Sequence, residues 1–165
     1  MKRLSLILGL IASSPRPADA TEAAKSCPPT GSLIVVDTPT RSLHLCSRGV
    51  IVESFGVSLG KRGVGKRAEG DEKTPLGTYS LGKPRPSSRF GTFVPIGYPT
   101  KQQQKAGLTG RDVGLHGPER RLDWAGSANL WIDWTNGCVA VKSIEEIEKI
   151  AAWVSAEKVS HVLLR

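Results

Sequence analysis

Residues Thr135 to Val141 (TNGCVAV) place a glycine and a cysteine between two polar residues and a short β-branched run. Gly137 lets the backbone turn sharply and approach a ligand closely. A cysteine at such a turn can be partly exposed, and exposure is a precondition for a reactive thiol. The pattern around Cys138 therefore fits a nucleophile, and by itself it fits a buried structural cysteine equally well.

A helix is predicted directly after this turn. Ser143 and Glu146 have the spacing of a capping box, in which the serine oxygen accepts from a free backbone N–H and the glutamate reaches back to the cap. The residues that follow form an apolar stripe at helical spacing: Ile144, Ile147, Ile150, Ala151 and Val154. The sequence thus predicts one clear helix, at about 143–156.

The chain before this turn is dominated by short runs with β character. Ser32 to Asp37 (SLIVVD), Ser42 to Cys46 (SLHLC) and Val50 to Leu59 (VIVESFGVSL) are separated by turn residues, which predicts an antiparallel meander. Further strands are predicted near 74–81, 90–96, 113–116 and 159–164, a break at 84–88 and a polar loop at 97–111. The predicted fold class is therefore mainly β.

His116 is the natural base for Cys138. It ends a predicted strand directly before Gly117, so its imidazole is expected at the rim of the sheet. A thiol at pH 7 is only a few per cent thiolate, and an adjacent imidazole can take its proton. His44 shares a strand face with Cys46 and is interpreted as structural. His161 lies in the last predicted strand, with no nucleophile near it in sequence.

The cysteine count gives a second indication about Cys138. Three cysteines leave one unpaired thiol in an oxidising compartment, and the simplest pairing, Cys27 with Cys46, leaves Cys138 free. Three unpaired thiols are the alternative. No metal site is predicted, because His44, Cys46 and Cys27 lack a fourth ligand and the usual spacing.

The N-terminus has the order of a secretory signal peptide. Lys2 and Arg3 precede an apolar run, Leu4 to Ala12, and Ala18-Asp19-Ala20 resembles a cleavage site. We expect a signal peptide at 1–20, with an uncleaved anchor as the alternative, then a linker at 21–30 and one domain at 31–165. No later stretch is apolar and long enough to form a transmembrane segment.

The net charge of +8 favours an anionic partner, although it equally serves solubility. Few aromatic residues are present and no basic stripe alternates with them, so nucleic acid is not expected as a partner. Gly60, Gly65 and Lys66 match the GxxxxGK spacing of a phosphate-binding loop. Arg67 stands where a serine or threonine is needed, so no nucleotide site is predicted.

Two segments taken together, Val113–Gly117 and Asp133–Val141, resemble the L,D-transpeptidase catalytic domain, also called the YkuD domain. Its signature is a histidine after a short strand, followed later by Ser/Thr-x-Gly-Cys. Lys73–Tyr79 is similar to the family's Thr-Pro-x-Gly-x-aromatic strand, and Phe90–Pro99 resembles its next segment. The likeness covers about residues 31–165 and implies the sandwich-like or barrel-like β fold of that family.

The resemblance has three departures. Asn136 stands where many members carry a second histidine, Ala140 where many carry arginine or asparagine, and Gly117 where many carry serine. This variant is similar to a branch of the family that includes wall-peptide hydrolases and lipoprotein-releasing amidases.

The resemblance implies a cysteine enzyme, located in the periplasm or cell wall, that acts on peptidoglycan stem peptides without a metal or cofactor. Cys138 would attack the L,D amide of a tetrapeptide stem, and His116 would take the thiol proton and pass it to the departing D-alanine. The Gly117 carbonyl would hold the other imidazole nitrogen, and the N–H groups of Gly137 and Cys138 would stabilise the oxyanion. The expected substrate-binding residues are Thr135, Asn136, Trp134, Arg120 and Arg121.

Arg120 and Arg121 lie in the segment between His116 and Cys138, which is expected to cover the cleft and pair with a substrate carboxylate. A solvated charged loop is the alternative. Three functions remain open at this stage. The first is acyl transfer to an amine of another stem or of a wall-anchored lipoprotein. The second is hydrolysis, as an L,D-carboxypeptidase or as an amidase that releases a lipoprotein. The third is a non-catalytic wall-binding module.

Overall fold

The computed structural model describes residues 27–165; the predicted signal peptide at 1–20 lies outside them, as do residues 21–26 of the predicted linker. The described part of the chain contains nine strands, which confirms the mainly β prediction. They are β1 (Ser32–Asp37), β2 (Ser42–Ser47), β3 (Val50–Ser58), β4 (Gly77–Ser80), β5 (Arg85–Ser87), β6 (Gly91–Pro95), β7 (Gly114–His116), β8 (Val139–Val141) and β9 (His161–Leu164).

All nine strands belong to one sheet, in the order β4-β9-β1-β2-β3-β8-β7-β6-β5. The sheet curls into half of a barrel. The predicted meander is confirmed, since β1 pairs with β2 and β2 with β3 in antiparallel fashion. Two pairs are parallel, β1 with β9 and β7 with β8. The second parallel pair joins the two segments that carry the predicted nucleophile and base.

The predicted helix is present as α2, Ile144–Ala156, after a short helix α1, Lys101–Lys105, in the segment predicted as loop. Ser143 Oγ accepts from the Glu146 N–H at 3.2 Å, as expected of a cap. The Glu146 carboxylate, however, accepts from the Lys142 N–H at 3.3 Å instead of from Ser143. Only half of the predicted capping box therefore forms.

The apolar stripe of α2 covers one face of the sheet. Its side chains Ile147, Ile150, Ala151 and Val154 are buried, and each isoleucine or valine side chain stabilises the fold by about 1.5–3 kcal/mol when fully buried. The helix packs on the part of the sheet formed by β6, β7 and β8. It thus supports from behind the strands that carry the candidate site.

Two strands were not predicted from the sequence. β5 occupies the segment predicted as a break, because Pro86 lies on the edge strand of the sheet, where a missing N–H costs no ladder bond. β8 has only three residues, all buried. In residues 27–165 no helix combines the length and the apolar character that crossing a membrane requires.

The connection from β7 to β8 contains a 3-10 segment, Arg120–Leu130, and is attached to the domain at both ends. Asp123 Oδ1 accepts from the Ile144 N–H at 2.7 Å, which ties the segment to the start of α2. Ser58 Oγ, at the end of β3, lies 2.9 Å from the Asn129 carbonyl and 3.0 Å from the Ile132 carbonyl. The crossover is thus fixed on both sides of its exposed middle.

A disulfide joins Cys27 to Cys46, the simplest pairing that the sequence suggested. Both half-cystines are buried beside Val35 in a small apolar cluster on the side of β1 and β2. The bond attaches the start of the described chain to β2, and Cys138 is the free cysteine.

Replacing both Cys27 and Cys46 by serine should lower the free energy of unfolding by about 3 kcal/mol, because the bond closes a loop of moderate length in the unfolded chain. Urea unfolding followed by circular dichroism measures the difference. Cys138→Ser is the matched control and should leave the midpoint nearly unchanged. Equal midpoints for the double variant and the wild type would contradict a native disulfide here.

Candidate active site

The parallel pairing of β7 with β8 brings the two predicted site residues to one place. Leu115 lies opposite Val139 and His116 opposite Ala140, so Cys138 directly precedes β8 beside the strand that His116 ends. His116 and Cys138 both line a single cleft of about 790 Å³. The fold therefore places thiol and imidazole on one wall of an open cavity.

The His116 imidazole is buried and fixed in orientation. Its Nδ1 lies 2.6 Å from the Gly117 carbonyl oxygen, which can only accept, so Nδ1 carries the proton and Nε2 is left as an acceptor. Phe90 stacks on the ring at 4.2 Å between centroids, and Trp134 contacts it edge-on at 5.7 Å. Burial lowers the pKa of His116 to about 4, so the ring is neutral at pH 7.

Gly117 has no room for a side chain. A Cβ at this position would lie 3.0 Å from the Phe90 carbonyl oxygen and 3.1 Å from both Ile144 Cδ1 and Ile147 Cγ2. Helix α2 therefore packs directly against the residue whose carbonyl orients the imidazole. This close packing gives a physical reason for glycine where many members of the resembled family carry serine.

The Cys138 thiol is partly exposed at the wall of the cleft. Its Sγ–H donates to the Asp112 carbonyl oxygen at 3.4 Å, and within residues 27–165 no hydrogen bond joins it to His116. Burial raises the pKa of Cys138 to about 11. The resting pair is therefore a neutral thiol beside a neutral imidazole, not a thiolate–imidazolium pair.

Two threonine hydroxyls hold the backbone of the nucleophile turn. Thr135 Oγ1 donates to the Cys138 carbonyl at 2.7 Å and accepts from the Gly137 N–H at 3.1 Å. Thr74 Oγ1 donates to the same carbonyl at 3.4 Å and accepts from the Gly60 N–H at 2.8 Å. Both threonines are buried. The position of the thiol is thus set by polar contacts inside the fold.

Gly137 is required by its conformation and by its surroundings. Its φ of +128° lies in a region that favours glycine, and an added Cβ would lie 2.6 Å from the Lys73 carbonyl oxygen. The predicted role of its N–H in an oxyanion hole does not fit this geometry, because that N–H already donates to Thr135 Oγ1. Of the two predicted donors, Cys138 N–H remains.

The L,D-transpeptidase catalytic domain family matches residues 31–161. The chain belongs to this family. A comparison with curated proteins found no match.

Several solved structures share the fold. The helical cell shape determining protein Pgp2 from Campylobacter jejuni is 22% identical, with a TM-score of 0.66, over 91% of this chain and 55% of that one. Bd1075 from Bdellovibrio bacteriovorus is 20% identical, with a TM-score of 0.61, over 82% and 47%. An L,D-transpeptidase from Mycobacterium smegmatis is 16% identical, with a TM-score of 0.51, over 81% and 58%. The chain thus spans about half the length of the structures it matches.

The other residues predicted for this L,D-transpeptidase domain divide into two groups. Thr135, Asn136 and Trp134 line the cleft, and Trp134 donates its Nε1–H to the Asn129 carbonyl at 3.1 Å. Arg120 and Arg121 do not line it: both are exposed, and Arg121 Nε donates to Glu119 at 2.7 Å. Their exposed position does not support the hypothesis that one of them pairs with a substrate carboxylate, which stays a prediction.

The cleft contains charged residues that the sequence analysis did not select. Four of its cations have acidic partners, as Lys61–Glu72, Lys66–Asp71, Arg89–Glu119 and Arg111–Glu69. Among the described residues, Arg85 is the cleft cation without an acidic partner, and its guanidinium lies 4.8 Å from the Phe93 ring centroid. Lys66 belongs to the GxxxxGK near-match, which was the one signal that drew attention to it.

Stability should depend on pH through His116. Its pKa falls from 6.5 to about 4 on folding, so the unfolded chain binds more protons between these values. The free energy of unfolding therefore contains a contribution from neutral His116 that is fully present above about pH 6.5. As the pH falls from there through about 4, this contribution is lost, which lowers the free energy of unfolding by about 3 kcal/mol. Urea unfolding of the wild type and of His116→Gln at pH 7 and pH 4.5 measures it.

His44 is half-buried, and its pKa is also lowered by burial, so the comparison between the two proteins isolates the contribution of His116. We expect the loss of stability on acidification to be clearly smaller in His116→Gln. Equal losses in the two proteins would show that His116 is not held neutral by burial.

Proposed function

We propose that this domain is an exported peptidoglycan L,D-transpeptidase with Cys138 as its nucleophile and His116 as its base. The observation that carries the proposal is the shared cleft: it is lined by a free thiol, just before β8, and by an imidazole with a fixed tautomer, at the end of β7. The substrate would be a tetrapeptide stem, cleaved at the amide between its diamino acid and D-alanine.

The neutral resting pair determines how the reaction begins. Because the thiol has a raised pKa and the imidazole a lowered one, the Sγ proton moves to His116 Nε2 as the S–C bond forms. The buried imidazolium is a strong acid and passes its proton to the departing D-alanine amine as the C–N bond breaks. The product is a thioester on Cys138, and the Cys138 N–H is the donor proposed for the oxyanion.

The thioester is then attacked by an amine of a second stem or of a wall-anchored lipoprotein: the new amide bond forms as the C–S bond breaks, and His116 takes a proton from that amine and returns it to Cys138 Sγ. Water in place of the amine makes the domain a hydrolase, either an L,D-carboxypeptidase or an amidase that releases a lipoprotein. The two outcomes share every residue of the first half-reaction. The products, and not the site, therefore distinguish them.

An extracytoplasmic location is part of the proposal. Disulfides persist mainly in oxidising compartments, and the Cys27–Cys46 bond supports such a location. The signal peptide predicted at residues 1–20 would supply export to the periplasm or cell wall, followed by a linker at 21–30. The catalytic domain would extend over 31–165.

Arg85 is proposed to bind a substrate carboxylate in place of Arg120 and Arg121. Its guanidinium lies over Phe93, whose ring is 6.3 Å from that of His116, so this charge lies one aromatic ring from the base. An arginine without a competing carboxylate can donate two parallel N–H bonds to a carboxylate of a ligand. Stem peptides carry such carboxylates.

Cys138→Ala and His116→Gln should each abolish turnover of purified muropeptides, by at least about 10⁴-fold for the nucleophile. Mass spectrometry of the products is the measurement, and His161→Gln, at an exposed position of β9, is the control with unchanged turnover. A dimer linked through two diamino acids indicates transfer, and tripeptide alone indicates hydrolysis. No product from the wild type, and no acylation of Cys138 by a carbapenem, would instead favour a wall-binding module.

Arg85→Ala should raise the KM for stem peptides about tenfold with little change in kcat, since one charge-assisted contact is lost. Arg120→Ala and Arg121→Ala are the matched controls and should leave both constants unchanged. Steady-state kinetics on a tetrapeptide substrate gives the comparison. A larger effect from either control than from Arg85→Ala would reject this assignment.

A further inference from the structure

Lys66 is a buried cation with no role in the reaction described so far. Its side chain is 4% exposed, and its Nζ donates to Asp71 Oδ1 at 2.8 Å and to the Ala68 carbonyl at 3.2 Å. Burial of an ammonium group is costly unless it is paired and hydrogen-bonded. A lysine held in this way at the wall of a cleft therefore calls for an explanation of its position.

The ammonium group of Lys66 lies beside the turn that precedes the nucleophile. A Cβ built on Gly137 would be 3.6 Å from Lys66 Nζ, and a Cβ on Gly110 would be 2.9 Å from its Cε. Gly110 thus leaves room for the lysine side chain, and the ammonium group lies close to the backbone of Gly137. Because Cys138 follows Gly137 directly and lines the same cleft, the charge faces the region where the thiol reacts.

The loop around Lys66 does not depend on the ammonium group alone. The Asp71 carboxylate also accepts from the N–H groups of Arg67 at 2.7 Å, Ala68 at 3.0 Å and Lys73 at 3.1 Å. Although burial acts to raise the pKa of Asp71, these bonds and the one from Lys66 hold it well below its usual range. A neutral side chain at position 66 would leave Asp71 with three donors, so the loop is expected to keep its form.

The remaining charges near the thiol do not replace this cation. His116 is neutral, and the cleft cations Lys61 and Arg111 are exposed and are balanced by Glu72 and Glu69. Burial and the Asp112 carboxylate raise the pKa of Cys138, whereas the Gly114 N–H and Lys66 lower it. Lys66 is thus the side-chain charge that opposes the cost of forming a thiolate.

We propose that Lys66 is the fixed cation of this active site, stabilising negative charge on Cys138 Sγ while the thiol proton moves to His116. The inference rests on the proposed function in that it takes Cys138 as the nucleophile. Lys66 neither gains nor loses a proton, and it forms no bond to substrate. It acts on the thiol through the electric field of its ammonium group. It is therefore a positioning residue and not a catalytic residue.

The test compares the reactivity of Cys138 in wild type, Lys66→Gln, Lys66→Met and Lys66→Arg. Iodoacetamide alkylation, followed by mass spectrometry between pH 8 and pH 10, reports the thiolate fraction without requiring turnover. Loss of a nearby opposite charge raises a thiol pKa by about one unit or more, so both neutral variants should react about tenfold more slowly at each pH. Lys66→Arg should restore most of the rate, and Lys61→Gln, at an exposed cleft lysine, should match the wild type.

Thermal unfolding of each variant completes the test. Unchanged alkylation in folded Lys66→Gln or Lys66→Met would overturn the proposal. Unfolding of both neutral variants while Lys66→Arg folds would also overturn it, because the lysine would then serve only to hold the loop. Since alkylation needs no substrate, a failure of this inference is distinct from a failure of the enzyme assignment, which the Cys138→Ala products decide.

Discussion

The parallel pairing of β7 with β8 is the constraint on which the candidate site depends. It fixes the backbone of His116 beside that of Ala140, so that Cys138 lies only two residues before the position paired with His116. Three supports hold this pair. β3 pairs with β8 on the side away from β7, and helix α2 packs against one face of the pair. Two threonine hydroxyls donate to the Cys138 carbonyl.

Burial at this strand pair also determines the chemistry. The aromatic side chains that pack against the imidazole also exclude water from it. Burial desolvates the thiol in the same way. Both groups are therefore uncharged at rest, and in the proposed reaction charge develops only as the thiol attacks the substrate. A buried cation next to the nucleophile turn is the kind of group that such a site needs, because it meets the developing charge without reorganising.

Much of the fold and the centre of the site were predictable from the sequence. Alternation and turn residues located β1, β2 and β3 within about one residue, and helical spacing located α2, because local pattern determines such elements. β5 was missed because Pro86 argues against a strand unless that strand lies at the edge of a sheet, and β8 because its few residues stand directly between the turn at Cys138 and the cap of a helix. Cys138 and His116 were found because their motifs are local, and the structure brings them together in one cleft.

The contributions of more distant residues could not be predicted. Thr74 and Lys66 come from another part of the chain, and only the folded sheet brings them to the turn at Cys138. Arg120 and Arg121 were chosen for their place between His116 and Cys138, but sequence proximity does not indicate which way a 3-10 segment directs its side chains. Gly137 was expected to donate to an oxyanion, and the competing acceptor, Thr135, lies only two residues away.

The crossover from β7 to β8 has a consequence for how this domain can diversify. Parallel neighbouring strands need a long connection. Here hydrogen bonds of Asp123 and Asn129 attach this connection to the domain. Trp124, between these two residues, and Trp131, after them, are exposed to solvent. Surface segments of this kind tolerate exchange far better than strands do. Residues of this segment can therefore change while the strand pair and the helix beneath it stay as they are.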